Sequence, residues 1–125
     1  MEDNGSLIQY DHTKETEILI QRAKKLKGTT QGSCVTFARN FLRLSGDEIK
    51  GVAKNLRTNS ETPEVGAIGK TNESRYGHLF VIIGIEGENL TIVDSNYGWD
   101  NKVRIRQLST QDRRILGYWR GGENK

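Results

Sequence analysis

The longest apolar run in the chain, Leu79 to Ile85, constrains the fold more than any other feature. It is rich in β-branched and aromatic residues, which predicts a central strand from His78 to Ile85. Gly87-Glu88-Asn89 then predicts a turn into a second strand, Leu90 to Asp94. The run is far too short to cross a bilayer. The sequence therefore predicts a buried hairpin within an antiparallel sheet.

Helical patterns precede this hairpin. Apolar residues recur at helical spacing from Thr13 to Lys27 and again from Ser33 to Leu44, and a weaker helix is predicted from Asp47 to Leu56. The segment from Gly69 to Gly77 is polar and predicts a loop. Three further strands are predicted at Pro63 to Ile68, Lys102 to Leu108 and Ile115 to Arg120. Helices followed by an antiparallel meander indicate the α+β class.

A chain of 125 residues is expected to form one domain. We predict a flexible leader at residues 1–12 and a single catalytic domain at residues 13–122. The acidic, polar N-terminus predicts no secretory signal peptide, so synthesis in the cytoplasm is expected. The net charge of +3 comes from scattered basic residues without an aromatic platform, so neither nucleic-acid binding nor membrane insertion is expected.

The chain has one cysteine, Cys34, at the predicted start of the second helix. A lone cysteine excludes an intramolecular disulfide. Unpaired N–H groups and the positive dipole end of a helix favour a thiolate, which is the nucleophilic form. On composition alone, however, a lone cysteine is more often a small buried hydrophobe.

Three polar residues, His78, Asp94 and Asn96, share the same parity on the two hairpin strands. A three-residue loop, Gly87 to Asn89, would pair Glu86 with Leu90 and put all three side chains on one face. A two-residue loop would put His78 on the opposite face unless a bulge intervened. Separately, each residue also has a structural interpretation, His78 as a satisfied strand-start histidine and the other two as turn formers.

Together these residues have the order of a thiol hydrolase. Cys34 would attack a carbonyl, His78 would move the proton, and Asp94 or Asn96 would orient the imidazole. The backbone N–H of Cys34 and the side-chain amide of Gln31 are candidate oxyanion-hole donors. One cysteine and two histidines are too few and too scattered for a structural zinc site, and no cofactor is expected.

Four segments, in this order, resemble the CHAP domain, the cysteine, histidine-dependent amidohydrolase/peptidase family of the papain-like clan. The resemblance covers roughly residues 14–120. The segments are Cys34-Val35-Thr36-Phe37-Ala38, Pro63-Glu64-Val65-Gly66-Ala67-Ile68, Tyr76-Gly77-His78-Leu79-Phe80-Val81-Ile82 and Asp94-Ser95-Asn96-Tyr97.

The resemblance implies a papain-like fold, with N-terminal helices packed against an antiparallel sheet. It also implies cleavage of amide bonds in peptidoglycan, as an N-acetylmuramoyl-L-alanine amidase or an endopeptidase, without a metal. Carried over by position, Cys34 is the nucleophile, His78 the base, Asp94 the orienting acid and Asn96 a supporting polar group. The aromatic residues expected to line the substrate groove are Tyr76, Tyr97 and Trp99. Trp119 is a candidate either for the groove or for the core.

Delivery to the cell wall without a signal peptide would fit a bacteriophage lysin or virion component, or a toxin exported by a secretion machine. A virion, secretion-machine or immunity protein is therefore a possible partner. Two alternatives stay open. The chain could be a non-catalytic CHAP-like component of a larger assembly, or an intracellular cysteine protease or deamidase acting on a protein.

Overall fold

A computed structural model describes the backbone of residues 3–45, 48–49 and 51–121, with side chains from residue 14 onward. Within these residues the chain forms two α-helices, a short 3₁₀-helix and five strands. Every neighbouring pair of strands is antiparallel, and their order in the sheet is β4-β3-β2-β1-β5. The predicted α+β class is confirmed. The elements are α1 (Asp3–Leu26), α2 (Cys34–Phe41), the 3₁₀-helix (Ala53–Asn55), β1 (Ile68–Thr71), β2 (His78–Glu86), β3 (Asn89–Ser95), β4 (Val103–Ser109) and β5 (Ile115–Trp119).

Helix α1 begins well before the predicted start at Thr13. Its backbone is helical from Asp3, so no helix boundary separates the predicted leader from the predicted domain. Residues 3–12 contain no proline that would remove a helical hydrogen bond. Residues 1–2 and 122–125, and the side chains of the leader, lie outside the described residues.

Strand β1 lies later in the chain than predicted. Residues 63–67 form no strand and contain a turn. Strand β1 instead covers Ile68–Thr71, most of which lies in the segment that was predicted as a loop. Polar Lys70 is accommodated there because its Nζ donates to the backbone carbonyls of Lys54 and Leu56, each at 2.8 Å. The helix predicted over residues 47–56 is reduced to the 3₁₀-helix, although residues 47 and 50 are outside the described part.

The sheet buries both of its faces. Odd-numbered residues of β2, such as Leu79 and Val81, pack with α1 and α2 in one apolar cluster. Even-numbered residues, such as Phe80 and Ile82, form a second cluster with Tyr118 on the other face. This double burial explains why the central strand reads as a continuous apolar run instead of an alternating one.

The β2–β3 hairpin has a two-residue turn, since Glu86 pairs with Asn89. The expected three-residue loop is therefore wrong. A register shift between Ile82 and Gly84 corrects the parity, and Val81 pairs with Val93 beyond it. The bulged residue thus returns His78 and Asp94 to the same face, near the open end of the hairpin.

Candidate active site

Cys34 is the first residue of α2. The N-cap residue Ser33 is extended, and its side chain accepts a hydrogen bond from the N–H of Thr36 at 3.2 Å. The N–H groups of Cys34 and Val35 come in the first turn of the helix, where no acceptor exists within α2. The apolar face of α2 is buried in the core, so the half-buried cysteine has a fixed position at the positive end of the helix.

The loop before Cys34 is tied to the strands that follow the hairpin. The hydroxyl of Ser95, fully buried at the end of β3, donates to the carbonyl of Gly32 at 2.6 Å. The backbone N–H of Gln31 donates to the carbonyl of Asn101 at 2.8 Å. These bonds hold the loop that precedes Cys34 beside the strand that carries Asp94. Sequence reasoning missed Ser95, because its role depends on a loop more than sixty residues away.

His78 begins β2 and is 7% exposed. The preceding residue, Gly77, has a left-handed φ of 75°. It also lies close to the backbone of Lys54, since a Cβ at Gly77 would be 3.1 Å from the Lys54 nitrogen. The Nε2 atom of His78 is 2.8 Å from Oδ2 of Asp94. The imidazole also interacts with the side chain of Cys34, which lines the same cleft. Because Nε2 is engaged by the carboxylate, Nδ1 is the nitrogen left for the sulfur.

The environment of His78 favours the imidazolium. Burial by itself lowers the pKa of His78, but hydrogen bonds and negative charge from Asp94 and Cys34 outweigh it and raise the pKa from 6.5 to about 9. At neutral pH both ring nitrogens therefore carry protons, and the one on Nε2 is donated to the carboxylate of Asp94.

Asp94 is 1% exposed and is held by two cationic side chains. Its Oδ2 atom accepts from Nε2 of His78 and also from Arg106, through Nε at 3.1 Å and Nη2 at 2.7 Å. Its Oδ1 atom is buried and has no hydrogen-bond partner among the described residues. The guanidinium of Arg106 lies 3.8 Å from the ring centroid of Tyr97, which contacts His78 edge-on at 5.6 Å.

Asn96 is close to this group but is used differently. It has a left-handed φ of 69°, and its Oδ1 accepts from the backbone N–H of Asn101 at 2.8 Å. It therefore caps the β3–β4 turn, and the side chain that hydrogen-bonds His78 is that of Asp94.

Gln31 is not brought into the cleft. Its Nε2 donates to Oγ1 of Thr29 at 3.0 Å, and its side chain lines a separate cavity of about 510 Å³ between α1 and α2. Gly32, with a φ of 88°, turns the chain between Gln31 and Cys34. The expectation of a second oxyanion donor at Gln31 is therefore not met by this geometry.

Cys34 and His78 open onto a cleft of about 570 Å³. The three aromatic residues predicted for a substrate groove all line it, and Trp99, 67% exposed, contacts Tyr76 edge-on at 6.4 Å. Trp119 packs against the core instead. The cleft lining carries one carboxylate, Glu73, which is paired with Arg114 at 2.7 Å. The remaining lining residues are Ser33, Val35, Gly51, Val52, Ala53, Ser74, Gly77, Asn96 and Tyr97.

No three histidine, cysteine, aspartate or glutamate side chains come together as a metal-binding group among the described residues. None of the helices described is both long and apolar enough to span a membrane.

No family model and no curated protein matches the chain. Among solved structures, the chain is similar to the crystal structure of Ly7917, with 17% sequence identity and a TM-score of 0.65. A second structure, of Ly7917 with the hydrolyzing product of MDP, is similar at the same identity and TM-score. The matched region covers 82% of this chain but only 60% and 61% of the Ly7917 chains. At this identity the similarity shows a shared fold.

Proposed function

We propose that this protein is a cysteine-dependent hydrolase with a papain-like active site that cleaves amide bonds in peptidoglycan. The observation that carries the proposal is the chain of contacts from Cys34 through His78 to Asp94 at the wall of one cleft. A nucleophile, a base and a group that orients the base are the minimum set for thiol-dependent acyl transfer.

In the acylation step, the Cys34 sulfur forms a bond to the carbonyl carbon, and an electron pair moves onto the carbonyl oxygen. The N–H groups of Cys34 and Val35, which lack acceptors within α2, stabilise this oxyanion. When the carbonyl re-forms, the C–N bond breaks, and His78 gives the Nδ1 proton to the leaving amine. The product is a thioester on Cys34.

In the deacylation step, the neutral His78 takes a proton from water. The resulting hydroxide attacks the thioester, the C–S bond breaks, and the carboxyl product leaves. The sulfur and the imidazolium are restored, so the cycle needs no other reactant. Throughout it, Asp94 keeps Nδ1 directed at the reacting atoms through its hydrogen bond to Nε2.

The choice of peptidoglycan rests on two supports. The sequence resembles CHAP domains, and the fold is shared with Ly7917, which was crystallised with a hydrolysis product of MDP. Muramyl dipeptide (MDP) is a fragment of peptidoglycan, and its amide bonds are of the class proposed here. The largely uncharged cleft, with Tyr76 and Trp99 exposed at its wall, fits a substrate that presents sugar and small peptide groups.

Digestion of purified peptidoglycan, with the fragments identified by mass spectrometry, tests the proposal. We expect wild-type protein to release fragments with new amino and carboxyl ends, which identify the scissile bond. A sugar-free stem peptide would identify an amidase, and a shortened stem would identify an endopeptidase.

Muramyl dipeptide and an unfolded protein serve as parallel substrates. Cleavage of the unfolded protein alone would move the substrate to proteins and contradict the proposal. Absence of cleavage of all three by folded protein would contradict catalysis itself.

A further inference from the structure

We propose that Arg106 is a positioning residue of this site, holding the Asp94 carboxylate and the Tyr97 ring so that His78 keeps Nδ1 directed at Cys34. The inference rests on the proposed thiol mechanism and deepens it. Arg106 is not itself among the residues that line the cleft, and it reaches the site through Asp94 and Tyr97.

The first observation is that all the donors converge on one carboxylate oxygen. Oδ2 of Asp94 accepts hydrogen bonds from Nε2 of His78 and from two guanidinium nitrogens of Arg106. Oδ1 accepts no hydrogen bond from the described residues. The terminal torsion of an aspartate is broad and roughly two-fold, so a single bond to the imidazole would fix it poorly. The planar fork of the guanidinium fixes the oxygen to which the imidazole is bonded.

The second observation is the stacking of Arg106 on Tyr97. The guanidinium lies 3.8 Å from the ring centroid, and the edge of the same ring contacts His78. A cation at this distance from an aromatic face is attracted to it. Arg106 thus acts on the imidazole by two routes, one through the carboxylate and one through the aromatic ring.

The sheet register distinguishes Arg106 from its neighbour Arg104. Arg104 lies directly opposite Asp94 across the β3–β4 pair, whereas Arg106 lies opposite Ile92 and reaches the carboxylate diagonally. The Arg104 side chain turns instead to Asp100, at 2.7 Å near the surface. Two arginines on one strand and one face therefore each bind a carboxylate, but only Arg106 binds the one that contacts His78.

The test measures the rate at which iodoacetamide alkylates Cys34 at pH 7, a reaction that requires no substrate. The variants are Arg106→Gln, Arg106→Lys and the matched control Arg104→Gln, each checked for folding by circular dichroism and thermal melting. We expect Arg106→Gln to slow alkylation by about tenfold to a hundredfold, the scale of a small misplacement of a reacting group.

We expect Arg106→Lys to restore the rate in part, because it keeps the charge but not the paired donors. Arg104→Gln should alkylate at the wild-type rate. If Arg106→Gln does not fold, Arg106→Lys becomes the test variant. An alkylation rate of Arg106→Lys at least threefold below that of wild type then supports the inference. Alkylation of folded Arg106→Gln at the wild-type rate overturns the inference. Where Arg106→Lys is the test variant, a wild-type rate in that protein overturns it.

A double-mutant cycle with His78→Ala separates positioning from general stabilisation. If Arg106 acts through His78, Arg106→Gln should not slow alkylation further once the imidazole is removed. Independent, multiplicative effects would overturn the inference. Failure of the proposed function gives a different result. In that case iodoacetamide would alkylate Cys34 of the wild-type protein no faster than a free cysteine thiol, and no faster than Cys34 of the His78→Ala protein.

Discussion

Asp94 carries its charge almost fully out of solvent, where an unpaired carboxylate would be strongly destabilising. His78 and Arg106 stabilise the carboxylate through hydrogen bonds to the same oxygen, Oδ2. The site therefore contains a buried cluster of charges whose geometry sets the direction of the imidazole. Asn96 contributes to a turn and not to this cluster.

We predict that Asp94→Asn lowers kcat by about a thousandfold or more, since an amide at this position no longer stabilises the imidazolium and can hold the wrong tautomer. The measurement is the initial rate of amide cleavage at saturating substrate. Asn96→Gly is the matched control, because glycine keeps the left-handed backbone and removes only the side chain. Equal losses in the two variants would contradict the assignment of Asp94 as the orienting group.

The pKa of His78 also predicts a pH dependence of stability. Because folding raises this pKa from 6.5 to about 9, the stabilisation from the imidazolium is fully present below pH 6.5 and is lost as the pH rises through about 9. Urea unfolding from pH 6 to pH 10 measures it, with His78→Gln as the reference. We expect the free energy of unfolding of wild type to fall relative to the variant across that interval. Parallel curves would show that the imidazole gains no stabilising partner on folding.

Among the elements, the pairing of β1 with β2 depends on a glycine that faces a large ring. A Cβ at Gly69 would lie 2.0 Å from the ring of Phe80, which is fully buried. We predict that Gly69→Ala destabilises the protein by about 1–3 kcal/mol, the usual cost of overpacking a core. Chemical denaturation measures the change.

Gly84→Ala is the control for this prediction. Gly84 is also a strand glycine, but its added Cβ would come no closer than 3.6 Å to a neighbour. Its effect should be small. A Gly69→Ala protein as stable as wild type would mean that Phe80 does not pack over β1 in this way.

The element that was hardest to predict from sequence is the bulge in β2. The apolar run and the Gly87-Glu88-Asn89 turn predicted the hairpin, but alternation alone does not distinguish a three-residue loop from a two-residue turn with a bulge. Strand β1 was missed for a related reason. Gly69 and Lys70 resemble loop residues until the ring that covers the first and the carbonyls that bind the second are known.

At the scale of the whole molecule, one cleft brings together α2, the start of β2 and the β3–β4 turn. That turn contains left-handed residues other than glycine, namely Asn96, Trp99 and Asn101. Such backbone conformations persist where the surroundings fix them, and they are frequent at binding sites. Trp99 is thus presented to solvent at the cleft wall.

We predict that Trp99→Ala raises KM for peptidoglycan and leaves kcat within about twofold, since the loss of a uniform binding contact weakens ground and transition states alike. Steady-state kinetics on solubilised peptidoglycan measures both constants. Leu116→Ala, which removes another exposed hydrophobic residue outside the cleft, is the control. A change in kcat alone would contradict a binding role for Trp99.

The candidate site was predictable from sequence where its residues lie at the ends of elements. Cys34 begins α2, His78 begins β2 and Asp94 is the penultimate residue of β3, so chain order pointed to their convergence, while the strand parity holds only because of the bulge. Arg106 and Ser95 were not predictable, because they act across a register or a loop contact that no local pattern encodes. The side chain of Gln31 lies in a separate cavity, and its position next to the turn at Gly32 does not reveal from sequence which way that side chain faces.

The most direct test of the central claim compares the release of new amino groups from purified peptidoglycan by wild-type and Cys34→Ala protein at pH 7. Both proteins should fold alike, because Cys34 is only half buried and its replacement keeps the helix start. The thiol mechanism predicts release by wild type and a fall to the background rate in the variant. Equal release by the two folded proteins would contradict it.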